Sequence, residues 1–111
     1  GLDPITPDLP GHGLDRTPTA TVTLAACVAR TVAALESAGE PAILVGHSLA
    51  GLVVTQAAEA CPERVARLVY VTAFLPGDGD SAETLAPLDP ASPIARAGLL
   101  TADGAAFALV P

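Results

Sequence analysis

The 111-residue sequence contains no lysine, no methionine and no tryptophan, and its aromatic side chains are one tyrosine and two phenylalanines. The missing lysine excludes a Schiff base or a P-loop lysine within these residues. Twelve acidic residues outweigh five arginines, for a net charge of −7, so no basic surface attracts nucleic acid or anionic lipid. No apolar run approaches the roughly 20 residues that cross a bilayer. We therefore expect a soluble, cytoplasmic protein without nucleic-acid or membrane partners.

Half of the residues are apolar, which is enough for a chain of this length to bury a core. Cys27 and Cys61 lie 34 positions apart, without neighbours at metal-ligand spacing, and are interpreted as small buried hydrophobic residues. The sequence starts at Gly1 and stops within the apolar stretch 107–111. We expect it to be a piece of a longer chain, which is called the whole protein below.

Apolar periodicity and turn residues predict alternating helices and strands. A helix is predicted over Thr21–Ala38, capped by a threonine at position 19, 21 or 23 and ended by the glycine and proline that follow. The apolar run Ala42–Gly46 predicts a parallel strand that is buried on both faces. A second helix is predicted over Leu49–Cys61 and a second buried strand over Leu68–Phe74. The predicted inward-facing helix residues are Leu24, Val28, Val32, Leu35, Leu52, Val53, Ala57 and Ala60.

Helix, strand, helix and strand with short connections are typical of an α/β fold with a parallel sheet and right-handed crossovers. Upstream, Pro4–Leu9 is predicted to be the end of an earlier strand at the sheet margin. Downstream, we predict a short helix around Pro93–Gly98 and a hairpin over Leu99–Val110 that turns at Asp103–Gly104. A sheet of two or three strands leaves unpaired edges, so the isolated chain should be only marginally stable.

The segment Gly46–Ala50 matches the pattern G-x-S-x-G, with alanine in the last small position. It lies where a predicted strand meets a predicted helix, as in the nucleophile elbow, a strained turn that projects a serine hydroxyl above the sheet. Small residues on both sides of Ser48 let strand and helix approach closely, and the Leu49 N–H would face a developing oxyanion. The alternative is that Ser48 only caps the helix, but a simple cap does not require small residues on both sides.

Three segments carry a family resemblance: PDLPGHG at residues 7–13, ILVGHSLAGLVVT at 43–55 and PERVARLVYVTAFLP at 62–76. Together they resemble α/β-hydrolase fold proteins, and within that superfamily the branch of small esterases that includes plant methylesterases and hydroxynitrile lyases. The resemblance implies that residues 1–76 are a partial α/β-hydrolase core carrying the elbow. Residues 77–111 resemble the start of the cap that covers such active sites.

The same resemblance implies that Ser48 is the nucleophile and that the Leu49 N–H is one oxyanion donor. The second oxyanion donor would precede Gly1. The family order is serine, acid, histidine, and no histidine follows Ser48, so the chain alone is expected to be inactive towards simple nitrophenyl esters.

Four other polar residues are candidates for catalytic roles. His47 is interpreted as packing beside the pocket and His12 as part of a glycine-rich loop that flanks it, with a catalytic role less favoured for both. Asp78 and Asp80 are predicted to be turn residues, with the triad acid as the alternative.

The expected function is hydrolysis of a small-molecule ester through an acyl-serine intermediate. One alternative is a hydroxynitrile lyase, which the missing lysine disfavours because known examples of the family use one near the pocket. Another is a non-catalytic protein that binds small molecules on the same scaffold. Neither a metal nor an organic cofactor is indicated, and the sequence leaves the substrate and the oligomeric state open.

Overall fold

A computed structural model describes residues 3–94, 98–100 and 107–109 of the chain. Short 3₁₀ turns occur at Thr19–Thr21, Pro62–Arg64 and Ala86–Leu88. The helices and strands are α1 (Leu24–Ser37), β1 (Ala42–His47), α2 (Ala50–Ala60), β2 (Val65–Val71), α3 (Ala82–Leu85), β3 (Gly98–Leu100) and β4 (Phe107–Leu109).

Strands β1 and β2 pair in parallel, with His47 opposite Val71 at their carboxyl ends. Helix α2 connects them and packs against both, and helix α1 packs against α2. A strand, a crossover helix and a parallel neighbour form the basic unit of α/β folds. The predicted α/β class, a core fragment with parallel strands and flanking helices, is therefore confirmed.

Helix α1 begins later than predicted, because Thr19–Thr21 forms a separate 3₁₀ turn. Thr23 caps α1 by accepting a hydrogen bond of 3.1 Å from the Ala26 N–H. The buried face was predicted only in part: Leu35 is buried as expected, but the other buried residues of α1 are Cys27 and Thr31. Thr31 belongs there because its hydroxyl donates to the Cys27 carbonyl oxygen at 3.0 Å, which satisfies the buried polar group. A pattern that counts only apolar side chains misses this residue, and it places exposed Leu24 on the wrong face.

The core lies between α1, α2 and one face of the sheet. The prediction that both strands are buried on both faces was wrong for the described residues. Ile43 and Val45 of β1 are 51% and 55% exposed, and Val69 and Val71 of β2 are also exposed. The reason is that α1 and α2 form a single helical layer, so only one sheet face is covered. The buried apolar residues are Cys27, Leu35, Leu52, Val53, Val54, Ala57 and Cys61.

Strand β2 ends at Val71, three residues before the predicted end. Thr72 has a φ of 40°, a conformation that ends an extended strand and that β-branched residues rarely adopt. The chain then turns, so that Phe74 approaches the start of α2 instead of extending the sheet.

The flanking segments differ in part from their predictions. Residues 3–9 form no strand, so Pro4–Leu9 was predicted incorrectly; its prolines lack the N–H groups that a strand pairing needs. Antiparallel pairing of β3 with β4 confirms a hairpin, whereas its predicted turn at Asp103–Gly104 lies outside the described residues. Residues 93 and 94 are helical, Gly98 already belongs to β3, and positions 95–97 also lie outside the described part.

No helix in the described ranges is long and apolar enough to cross a membrane.

Candidate active site

Ser48 occupies the sharp turn between β1 and α2. Its φ is +54°, in the left-handed region that favours glycine, and within the described ranges only Ser48 and Thr72 are non-glycine residues with a positive φ. Such a conformation costs about 1–3 kcal/mol and persists where the surrounding structure enforces it. Leu49, which follows, already has a helical backbone and precedes the first residue of α2. This is the geometry of a strained strand-to-helix turn that presents a serine.

The two strained residues directly follow the paired ends of β1 and β2. Because His47 lies opposite Val71, Ser48 and Thr72 are the next residues along two paired strands. Both therefore stand at the carboxyl edge of the parallel pair, where α/β folds place their ligands. Backbone strain of this kind concentrates at functional sites, so this edge is the candidate active site.

Two glycines make the turn possible because they allow close backbone approach. A Cβ on Gly46 would lie 2.8 Å from the Val54 Cγ2 and 2.9 Å from the Ala50 carbonyl oxygen. A Cβ on Gly51 would lie 2.9 Å from the carbonyl carbon of Phe74 and would overlap its carbonyl oxygen. Small residues around the serine therefore let β1, α2 and the chain after β2 converge.

Backbone hydrogen bonds fix the serine turn from two directions. The Ser48 carbonyl oxygen accepts from the Gly51 N–H and from the Phe74 N–H, each at 3.1 Å. By contrast, the Leu49 N–H donates to no other described residue. A free N–H at a helix N-terminus is the type of group that stabilises an anion, since it adds to the positive end of the helix dipole. The roles of Ser48 and Leu49 remain predictions.

Ser48 and Leu49 line the same concave pocket, which has a volume of about 480 Å³. Its walls come from the loop before α1, the first turn of α1 and the start of α2. The polar side chains in the lining are His12, Thr23, His47 and Ser48. The remaining lining residues are Leu9, Val22, Leu24, Cys27, Leu49, Ala50, Leu52 and Val53. The pocket suits an apolar ligand with few polar groups.

The loop that carries His12 is held by carboxylates. Asp15 Oδ1 accepts from the Gly11 N–H at 3.0 Å and from the Thr17 N–H at 2.8 Å, and Asp15 Oδ2 pairs with Arg30 of α1 at 2.8 Å. Arg30 also donates to the Asp8 carbonyl oxygen at 2.9 Å. These bonds connect the loop to α1 and fix the position of this wall of the Ser48 pocket.

The sequence model of the Alpha/beta hydrolase family matches residues 1–111. The chain belongs to this family. The α/β-hydrolase chain is 39% identical over 82 residues to a candidate chloroplastic methylesterase of Arabidopsis thaliana, covering 71% of the chain and 24% of that relative. Over 45 residues, 40% of the chain, it is 47% identical to the carbendazim hydrolyzing esterase of Nocardioides sp. (strain SG-4G), of which it covers 19%. Over 40 residues, 36% of the chain, it is 48% identical to methyl jasmonate esterase 1 of Vitis vinifera, of which it covers 15%.

The chain therefore spans about a quarter of the first of these relatives, and less of the other two. The resemblance to α/β hydrolases and to their methylesterase branch is confirmed.

The other predicted polar residues of this α/β-hydrolase chain divide between two concavities. Both His12 and His47 line the Ser48 pocket. Asp78 and Asp80 instead line a second concavity of about 420 Å³, together with Leu52 and Thr55 of α2. The Asp80 carboxylate accepts from the Gly77 N–H at 2.8 Å and from the Thr84 hydroxyl at 3.2 Å. The geometry of Asp80 fits a turn residue, and the structure does not bring either aspartate to the Ser48 pocket.

Sequence reasoning missed the contacts that hold the site. Asp15 and Arg30 are separated by 15 positions, and nothing in the local pattern indicates that they pair. The approach of Phe74 to Gly51 was hidden because residues 72–74 were assigned to a strand. The signal that could have indicated it is the glycine that follows Ala50, since a glycine in the first turn of a helix usually marks a close contact.

The hydrogen bonds of the Asp15 carboxylate predict that the α/β-hydrolase chain loses stability as the pH falls. Hydrogen bonds from Thr17 and the Gly11 N–H, with a smaller contribution from Arg30, hold the pKa of Asp15 well below its ordinary value of 3.8. A carboxyl whose folded pKa is depressed stabilises the protein above its unfolded pKa and loses that contribution as the pH falls towards the folded value. We expect Asp15→Asn to lower the melting temperature at neutral pH, and the difference from wild type to shrink between about pH 4 and pH 2.

Thermal unfolding followed by circular dichroism across this pH range would measure the Asp15 effect. The control is Asp78→Asn. The Asp78 carboxylate is exposed and makes no hydrogen bond to any residue in the 3–94 range. A melting-temperature difference for Asp15→Asn that stays constant with pH would contradict the argument.

Proposed function

We propose that the whole protein is a serine esterase in which Ser48 attacks the carbonyl carbon of a small-molecule ester. The observation that carries the proposal is the backbone of Ser48, held at a positive φ between a parallel strand and a helix. A serine that only capped α2 would not need this strain, and the N-cap of α2 is Leu49. Membership of the Alpha/beta hydrolase family and three relatives named as esterases support the same reaction class.

The proposed reaction proceeds in two steps. The Ser48 Oγ forms a bond to the ester carbonyl carbon, its proton passes to a base, and the alcohol leaves with a proton; water then releases the acid and restores the serine. The Leu49 N–H stabilises the oxyanion that develops in each step. In the family order the base is a histidine that follows the acid, and the remainder of the whole protein would supply both.

The shape and lining of the pocket favour esters whose acyl or alcohol part is apolar. About 480 Å³ of concave space holds a small ester, and eight of the twelve lining residues carry apolar side chains or a thiol. The substrate class is therefore proposed as small, mainly apolar carboxylic esters. Cytoplasmic localisation stays a prediction, since one relative above is named as chloroplastic.

Fluorophosphonate labelling tests the proposed nucleophile. The whole protein should form one covalent adduct, and peptide mass spectrometry should find it on Ser48. The matched control is Ser37→Ala, which removes an exposed serine at the end of α1 whose hydroxyl donates to the Ala34 carbonyl oxygen; labelling should not change. The 111-residue chain alone should remain unlabelled and should not hydrolyse nitrophenyl esters above background. A whole protein that binds ligands but resists labelling would support the non-catalytic alternative instead.

A further inference from the structure

We infer that His12 is a specificity-determining residue, which accepts a hydrogen bond from a donor group on the ester bound beside Ser48. The inference rests on the proposed function only for placing an ester in this pocket. It begins with the imidazole ring, whose Nδ1 lies 2.9 Å from the Pro10 carbonyl oxygen. A carbonyl oxygen only accepts, so in the neutral ring Nδ1 carries the proton and Nε2 is an acceptor.

The Nε2 acceptor is available for a ligand. The His12 ring makes its one hydrogen bond within residues 3–94 to Pro10, through Nδ1. The side chain is exposed and lines the Ser48 pocket. Of the other polar lining residues, Thr23 already accepts a hydrogen bond at the N-terminus of α1, and Ser48 meets the reacting carbonyl. His47 is exposed as well, but within residues 3–94 its ring makes no hydrogen bond that fixes a tautomer, which leaves His12 as the acceptor with a defined direction in a mostly apolar wall.

A lone acceptor in an apolar wall discriminates between ligands. When a ligand covers the acceptor, the acceptor loses water, and this loss is costly unless the ligand supplies a donor. An ester with a hydroxyl or N–H group that reaches Nε2 is therefore favoured over an ester of equal shape with a methyl group there. The ester carbonyl itself cannot satisfy His12, because it is also an acceptor.

The position of the His12 ring is fixed before a ligand arrives. The His12 N–H donates to the Leu9 carbonyl oxygen at 2.9 Å, and the His12 carbonyl oxygen accepts from the Asp15 N–H at 3.0 Å. Asp15 is in turn held by Arg30 of α1 at 2.8 Å. A ring held in this way gives discrimination without the entropic cost of ordering a loop.

Binding to the Ser48→Ala protein tests the inference without turnover. Benzyl lactate and benzyl isobutyrate have nearly the same shape and differ in a hydroxyl against a methyl group. By calorimetry on the whole protein at about pH 8, we expect benzyl lactate to bind about fivefold more tightly. His12→Asn keeps a donor towards Pro10 but lacks Nε2, so it should bring the ratio to about one. His12→Gln, which carries an amide oxygen further out, should retain part of it.

Equal binding of the two esters by the Ser48→Ala protein, or an unchanged preference in the His12→Asn variant, would overturn the inference. Nitrogen NMR of the histidine-labelled Ser48→Ala protein gives a second measurement that needs no change at His12. The Nε2 resonance of His12 should move with benzyl lactate and stay in place with benzyl isobutyrate. Failure of the wild-type protein to hydrolyse either ester would count against the proposed function and would leave these binding results intact.

Discussion

Replacement of Ser48 by alanine in the whole protein should lower kcat for ester hydrolysis by about 10⁴-fold or more while KM changes little. The reason is that in the proposed mechanism Ser48 supplies the atom that bonds to the acyl group, whereas the apolar pocket walls proposed to bind the substrate remain. Burst kinetics with a nitrophenyl ester would show the loss directly, because no acyl-enzyme can accumulate.

Two serines near the ends of helices serve as controls for Ser48. Ser81 caps α3 by accepting a hydrogen bond of 3.2 Å from the Thr84 N–H, and Ser37 lies at the end of α1. Ser81→Ala and Ser37→Ala should change kcat less than about twofold, since neither residue lines the Ser48 pocket. A Ser48→Ala protein that hydrolyses esters at the wild-type rate would refute the assigned nucleophile.

Gly51→Ala should destabilise the whole protein, although the same change in an ordinary helix is stabilising by up to about 1 kcal/mol. The added Cβ would overlap the carbonyl oxygen of Phe74, and backbone cannot move aside as a flexible side chain does. Overpacking of this type typically costs about 1–3 kcal/mol, so the steric effect should exceed the gain in helix propensity. Subtracting the propensity gain of about 1 kcal/mol from an overpacking cost of about 3 kcal/mol gives an expected net loss of about 2 kcal/mol, measured by denaturant unfolding.

The Gly51 change should also reduce activity in the fraction that remains folded. Moving Phe74 away would break the 3.1 Å hydrogen bond from its N–H to the Ser48 carbonyl oxygen, which helps hold the strained turn. Gly77→Ala is the matched control: its Cβ would meet only an Asp80 carboxylate oxygen, at 3.3 Å in an exposed loop. It should stay within about 0.5 kcal/mol of wild type. A stabilised Gly51→Ala protein would show that Phe74 does not press on α2.

The alternation of elements could be predicted because local signals agree with the fold. Helix α2, strand β1 and the turn at Ser48 each have their own signature: an apolar periodicity, a β-branched run and small residues on both sides of a serine. The start of α1 was also within reach, since Thr23 was one of three candidate caps and proves to be the one that bonds. Where several local signals converge on one residue, as at Ser48, its place in the structure follows.

The predictions that were wrong depend on contacts between distant segments. Ile43 and Val45 carry the composition of a strand buried on both faces, but burial depends on which elements cover the sheet, and the described helices cover one side. Threonine has a high propensity for β-strands, yet Thr72 adopts a φ of 40° where the chain turns towards α2. Likewise, the pairing of Asp15 with Arg30 depends on how the loop folds back on α1.

The neighbouring positive-φ residues Ser48 and Thr72 have a consequence for which part of the sequence determines the turn. The described bonds and contacts that shape the Ser48 turn come from β1, α2 and the residues just after β2, all within positions 42–74. The described backbone contacts that hold the Ser48 turn thus lie within one contiguous block of about thirty residues, so the turn needs no long-range pairing beyond β1 and β2 to take its shape.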